Sequence, residues 1–136
     1  MTDFELGFII GLIEGEGCLT LGRSICKNPQ GFSLHPRFFI TNTNLDILGK
    51  AQSIIGGIIF SKGERLSNKH KQAYKLSIEG KDRLKVILPQ IEPYLISKKL
   101  NCELLLEYVY THRRRNGYSK RDIEIFEKIR ILNKRG

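Results

Sequence analysis

Glu14 and Glu16, one glycine apart, close the apolar run Phe8-Ile9-Ile10-Gly11-Leu12-Ile13 and are the side chains of this sequence most disposed to chemistry. A helix C-terminus carries partial negative charge and unpaired carbonyls, so two carboxylates placed there raise the local energy unless a cation joins them. A bound divalent metal ion is the cation that answers this arrangement, with carboxylate oxygens as its ligands.

Those acids need a rigid carrier, and the sequence provides a helix over residues 4–15. Gly7, Gly11 and Gly15 recur every four residues along it and strip one stripe of side chains, which lets a second helix backbone approach closely. The apolar stretch contains Glu5 and falls well short of the roughly 20 residues that cross a bilayer, so the partner is expected to be a soluble helix, most economically a second copy of this one. Gly7, Ile10, Gly11 and Glu14 are the expected seam.

The chain has 136 residues and a 40% hydrophobic composition, which fits one domain spanning residues 1–136 with a real core. Its net charge is +9, and the distribution is uneven. The first 22 residues hold four acids (Asp3, Glu5, Glu14, Glu16) and no Lys or Arg, leaving 23 basic against 10 acidic residues, or +13, in the rest. Such an excess suits a polyanion, nucleic acid above all, against the plainer reading of a solubilising surface. The three cysteines, Cys18, Cys26 and Cys102, are odd in number and lack metal-ligand spacing, and they read as reduced thiols. No secretory leader or long apolar run is visible, so an intracellular site, the cytoplasm of a prokaryote or an organelle, is expected without membrane contact. His35, His70 and His112 show no zinc-binding spacing.

Alternation predicts a strand over residues 18–25, with Leu19 and Leu21 inward and Ile25 as a third candidate, then a loop at Asn28-Pro29 and Gly31. A second strand spans residues 33–42. Leu34, Phe38 and Ile40 point one way in it, and Ser33, His35, Arg37 and Phe39 the other. Thr43-Asn44-Leu45-Asp46 matches a capping box before a helix that stops at Gly56-Gly57, with Asp46 assigned to the cap. Residues 58–62 and 72–78 read as a hairpin with Tyr74, Leu76 and Ile78 inward, leaving Ala73, Lys75 and Ser77 outward. Helices follow over 81–91, from 98 to about 112, and over 121–133, the last behind a Ser119-x-x-Asp122 capping box. The fold class is α+β, in the order α-β-β-α-β-β-α with further helices appended, and the helix motif has no second copy.

Ile9-Ile10-Gly11-Leu12-Ile13-Glu14-Gly15-Glu16-Gly17 resembles the signature of the LAGLIDADG homing endonucleases of the single-motif kind, with Glu in place of Asp at both acidic positions. The likeness continues through Phe39-Ile40-Thr41-Asn42-Thr43-Asn44, Gly56-Gly57, and Pro93-Tyr94-Leu95 followed by Lys98-Lys99. It implies a homodimer with paired motif helices at the interface and saddle-shaped antiparallel sheets laid on double-stranded DNA. One motif per chain then implies a near-palindromic target. The implied reaction is metal-dependent phosphodiester hydrolysis with Mg²⁺ or another divalent ion such as Mn²⁺, and no organic cofactor. By the same resemblance Glu16 is the direct metal ligand with the Gly15 carbonyl beside it, Asn42 helps to orient water, and Lys98 stabilises negative charge on the phosphate. Taken without it, Asn42 is a turn residue and Lys98 a surface lysine at a helix start. Glu14 reads either as tuning the metal or, preferably, as a structural group at the helix end or seam.

Candidates for base contact are the outward strand positions Thr20, Arg23 or Ser24, Ser33, His35, Arg37, Phe39, Ser61, Lys75 and Ser77. Lys62, Arg65, Lys69, Lys71, Arg113 and Arg114 are candidate phosphate anchors. An RNA-binding intron maturase and a non-catalytic DNA-binding regulator are the rival readings, and neither requires Glu16 or Lys98.

Overall fold

The computed structural model describes residues 1–61, 71–113 and 117–134. Among them run α1 (Asp3–Glu16), β1 (Gly17–Ile25), β2 (Phe32–Asn42), α2 (Leu45–Ile55), β3 (Ile58–Ser61), β4 (Tyr74–Glu79), α3 (Lys81–Ile91), a 3-10 turn (Glu92–Tyr94), α4 (Lys99–Thr111) and α5 (Lys120–Lys134). This is the α+β order read from the sequence. The strands form one antiparallel sheet in the order β1-β2-β4-β3. The chain divides into two compact units, Met1–Cys18 with Phe38–Ile78 and Leu19–Arg37 with Glu79–Gly136.

In the first unit α1 opens on a capping box that the sequence reading passed over. The Thr2 hydroxyl accepts the Glu5 N–H at 3.1 Å, and the Glu5 carboxylate accepts the Thr2 N–H at 2.9 Å. Ile9 and Ile13, one turn apart, are fully buried, whereas Phe4 is 74% exposed. A Cβ on Gly7, Gly11 or Gly15 would meet no atom within 4 Å, so the glycine stripe faces open space. At the other end the Gly17 N–H donates to the Ile13 carbonyl and the chain turns at once into β1.

Two local expectations for this unit are corrected. The cap of α2 is Asn44, whose Oδ1 accepts the N–H groups of Asp46 and Ile47 at 2.9 and 3.2 Å. Asp46 thus enters the cap through its backbone, and its exposed side chain adds negative charge near the positive helix end. Thr43 and Asn44 both have capping chemistry, and the extended backbone of Asn44 decides between them. In the hairpin, β3 and β4 pair antiparallel with Ile58 opposite Ser77 and Phe60 opposite Lys75. Leu76 and Ile78 are inward as expected, but Ser77 is just 7% exposed, because a short hydroxymethyl on an interior strand is shadowed by longer neighbours. Gly57, at φ +100°, makes the turn into β3, where a Cβ would collide with the Ser77 carbonyl at 2.7 Å.

The second unit buries Leu19, Leu21 and Leu34 as well as the apolar sides of α3, α4 and α5. Ile25 keeps the phase of Leu19 and Leu21 but runs beyond the core and is 83% exposed, so it is not an inward residue. The β1–β2 loop is tied by Asn28, whose Oδ1 accepts the Gly31 and Phe32 N–H groups at 2.7 and 3.2 Å. Four rings, Phe32, Tyr118, His112 and Tyr108, stack in sequence with centroids 5.3, 5.1 and 5.0 Å apart. They join that loop to both ends of the α4–α5 connection. Tyr118 also accepts the Leu34 N–H at 2.7 Å. The Ser119–Asp122 capping box is present in both directions, at 2.9 and 3.0 Å, and the same Asp122 oxygen lies 3.0 Å from His112 Nδ1.

Candidate functional site

Glu16 is the last residue of α1 and Asn42 the last of β2. The structure brings them together, with Asn42 Nδ2 donating to Glu16 Oε2 at 2.7 Å. The other end of the amide is fixed too, since Asn42 Oδ1 accepts the Asn44 N–H at 2.9 Å. That bond orients the amide, leaving its NH₂ turned to the carboxylate. Glu16 is exposed, and the last turn of α1 holds no base to neutralise it. A hard, oxygen-liganded cation fits this donor set, because Mg²⁺ takes one or two carboxylates and completes its shell with water or phosphate oxygen. Among the described residues no group of three or more His, Cys, Asp or Glu converges.

Gly17 is the residue here whose importance the sequence reading missed. A Cβ on it would lie 2.7 Å from Ile13 Cα and 2.8 Å from its carbonyl oxygen, both unyielding backbone atoms. Glycine is therefore required where the helix hands Glu16 to the strand. Gly15 is exposed, and Ile10 and Glu14 are half-buried on α1. Lys98 belongs to the second unit, where it is half-buried at the N-cap position of α4 and gives its carbonyl to the Cys102 N–H at 3.1 Å.

Of the expected base-reading residues, Ser24 and His35 lie on neighbouring strands with Oγ and Nε2 2.8 Å apart, both exposed. Arg37 lies over Gly22, where an added Cβ would meet its guanidinium at 3.3 Å, and it pairs with Glu79 at 3.7 Å. Ser33 turns its hydroxyl to Cys26 Sγ at 3.1 Å. That contact, with the Asn28 backbone, holds the Cys26 thiol below its ordinary pKa. Of the alternatives Arg23 and Ser24, both exposed, Arg23 shares the phase of Leu19 and Leu21 and has its guanidinium 5.2 Å from the Phe126 ring, while Ser24 takes the opposite face. Ser77 is corrected for the burial given above. Thr20 is half-buried, while Ser61, Lys71 and Arg113 are exposed. Lys62, Arg65, Lys69 and Arg114 lie outside the described residues.

A concavity of about 450 Å³ in the second unit is lined by Thr20, Arg23, Phe126, Arg130, Asn133 and Lys134, among others. Arg23, Arg130 and Lys134 make its wall cationic.

Residues 9–110 match the profile of a protein family described as LAGLIDADG endonuclease. The chain belongs to that family. The LAGLIDADG match begins inside α1 and closes within α4, so it takes in Glu16, Asn42 and Lys98. Among solved structures, the archaeal intron-encoded homing endonuclease I-Vdi141I, complexed with DNA, superposes with a TM-score of 0.80 at 22% identity, over 97% of this chain and 86% of that one. I-CvuI, a homing endonuclease in complex with its target in the presence of 2 mM Ca, gives 0.74 at 18% identity over 94% and 82%. The meganuclease I-SmaMI, bound to uncleavable DNA, gives 0.71 at 19% identity, covering 94% of this chain and 44% of that one. At these identities the likeness establishes the fold. No curated protein sequence gives a significant match.

Proposed function

We propose that this LAGLIDADG protein is a site-specific, double-strand DNA homing endonuclease of the intron-encoded type, acting as a homodimer on a long pseudo-palindromic target. The observation that carries the reading is the 2.7 Å bond from Asn42 to Glu16 at the open end of α1. It holds, where the family's motif ends, a carboxylate that no base in the last turn of α1 neutralises, and a carboxylate so held is prepared to bind a cation. The DNA complexes of I-Vdi141I and I-CvuI support the substrate class, and the Mg or Ca present with I-CvuI supports a divalent ion.

Glu16 and the Gly15 carbonyl are the groups that would hold Mg²⁺ or Mn²⁺, which when bound supplies an activated water and neutralises charge on the phosphate. Asn42 fixes the carboxylate and offers an amide for orienting water. Lys98 supplies positive charge to the phosphate as negative charge develops. The open glycine stripe over Gly7 and Gly11, with Ile10 and Glu14 beside it, is the proposed seam. A two-fold contact there sets one Glu16 for each DNA strand. The partial coverage of I-SmaMI supports this assembly, since that chain has room for a second unit of equal size. All three cysteines are free, as suits an intracellular compartment.

The test uses a plasmid carrying the fused sequences that flank this reading frame. With Mg²⁺ the protein is expected to linearise it, and EDTA to stop the reaction. Binding without cutting in Mg²⁺ or Mn²⁺ points to a DNA-binding regulator, and stimulated RNA splicing without cutting points to a maturase. Either result rejects the endonuclease reading.

A further inference from the structure

The free sheet face of the first unit carries a feature that phosphate anchoring does not explain. Ile58 and Phe60 of β3 are 70% and 46% exposed, opposite Ser77 and Lys75 of β4. Leu76 and Ile78, one step out of phase, are fully buried, so the exposed set is the side turned from the core. Lys75 Nζ sits 4.0 Å from the Phe39 ring centre and 5.9 Å from that of Phe60. One ammonium is thus clasped by two rings in a row that crosses β2, β4 and β3. Edge strands ordinarily present charge to water, not isoleucine and phenylalanine. The aromatic clasp also restrains a side chain that would otherwise be freely mobile, so its donors are aimed before any ligand arrives.

The DNA major groove has one apolar group, the 5-methyl of thymine, and its strongest acceptor pair is the N7 and O6 of guanine. Rings flanking an ammonium complement a thymine next to a guanine. The +13 excess beyond residue 22 draws a polyanion to the chain, and among the described residues the patch of Phe39, Ile58, Phe60 and Lys75 contains no acid. Resting on the reading of the chain as a DNA-binding endonuclease, we propose that the Phe39–Lys75–Phe60 row is a specificity-determining patch in the major groove. Phe39 and Phe60 cover thymine methyl groups, and Lys75 donates to the adjacent guanine edge.

The experiment selects bound duplexes from a randomised pool, resynthesises a recovered duplex with uracil replacing thymine one position at a time, and measures affinity for each. Losing one buried methyl contact is expected to weaken wild-type binding about fourfold at one or two positions per half-site. Phe60→Ala, on an exposed edge position, is expected to abolish the uracil effect at its own position and leave the others unchanged, a coupling that general loosening of the sheet does not produce. A uracil scan flat within about twofold, with binding intact, overturns the patch and leaves DNA binding standing. A flat scan accompanied by Phe60→Ala-sensitive self-association assigns the face to a second copy of the chain and also overturns it. Recovery of no duplex refutes the DNA-binding reading itself, and the patch with it.

Discussion

Replacing Gly17 with alanine tests how tightly the fold holds the candidate site. The glycine sits at φ −96°, a conformation any residue adopts, so the consequence is purely steric. The added Cβ would be 2.7 Å from Ile13 Cα and 2.8 Å from its oxygen, against an ordinary carbon–carbon contact of about 3.5–4.0 Å. Neither obstacle can rotate away, so the start of β1 must shift by roughly 1 Å relative to α1. The Glu16–Asn42 bond, now 2.7 Å, then stretches past hydrogen-bonding range. Overpacking of this kind costs about 1–3 kcal/mol. For a chain of this size each kcal/mol lowers Tm by about 3–6 °C. Misplacing a reacting group by this distance costs on the order of 100-fold in rate. Thermal unfolding by circular dichroism and single-turnover cleavage of the target, run on the same preparation, measure the two effects. A Gly17→Ala protein that melts with the wild type and cuts at the wild-type rate refutes the reasoning.

At Gly11 a Cβ meets nothing within 4 Å in this chain. Gly11→Ala is therefore expected to add up to ~1 kcal/mol of helix stability to the isolated fold while weakening self-association roughly tenfold or more. Sedimentation equilibrium checks this, and an unchanged association constant rejects the seam. Arg121 grips Glu107 with Nε and Nη2 at 2.6 and 2.8 Å, and this lowers the folded-state pKa of the carboxyl. The stability it contributes is present above the ordinary value of 4.5 and is lost as pH falls through the lowered folded value. Because both side chains are more than a third exposed, Glu107→Gln is expected to cost no more than ~1 kcal/mol at pH 7, the difference vanishing in acid denaturation series; a gap that widens in acid contradicts it. Burial pushes the Cys102 thiol up to about 12, whereas the Ser33 hydroxyl holds Cys26 down. Iodoacetamide at mildly alkaline pH is thus expected to label Cys26 first and Cys102 last by peptide mass mapping, and equal rates refute that order.

The elements were legible where local chemistry marks both ends. Gly56-Gly57 stops α2, Asn28 and Gly31 break the first strand pair, and Ser119 with Asp122 starts α5, each at a residue whose backbone preference leaves little choice. Phase was read correctly for Leu34, Phe38 and Ile40 but not followed through β1, where Arg23 keeps step with Leu19 and Leu21. Thr43 and Asn44 compete as caps on equal chemistry, and the extended backbone that selects Asn44 is not written in either residue type. Asn42 and Glu16 are 26 residues apart, so no local pattern places them in contact, and the family resemblance was the sole signal. Gly17 resembles any turn glycine until the approach of the Ile13 backbone is known.

Central to the account is that Glu16, steadied by Asn42, is the carboxylate on which metal-dependent strand cutting depends. Glu16→Gln keeps size and hydrogen bonding and removes the charge, so binding and cleavage of one target by this variant and the wild type, in Mg²⁺, is the most direct measurement. The variant is expected to bind the target with unaltered affinity in a gel-shift series and to cut neither strand. Cleavage of both strands by Glu16→Gln at the wild-type rate would contradict the account.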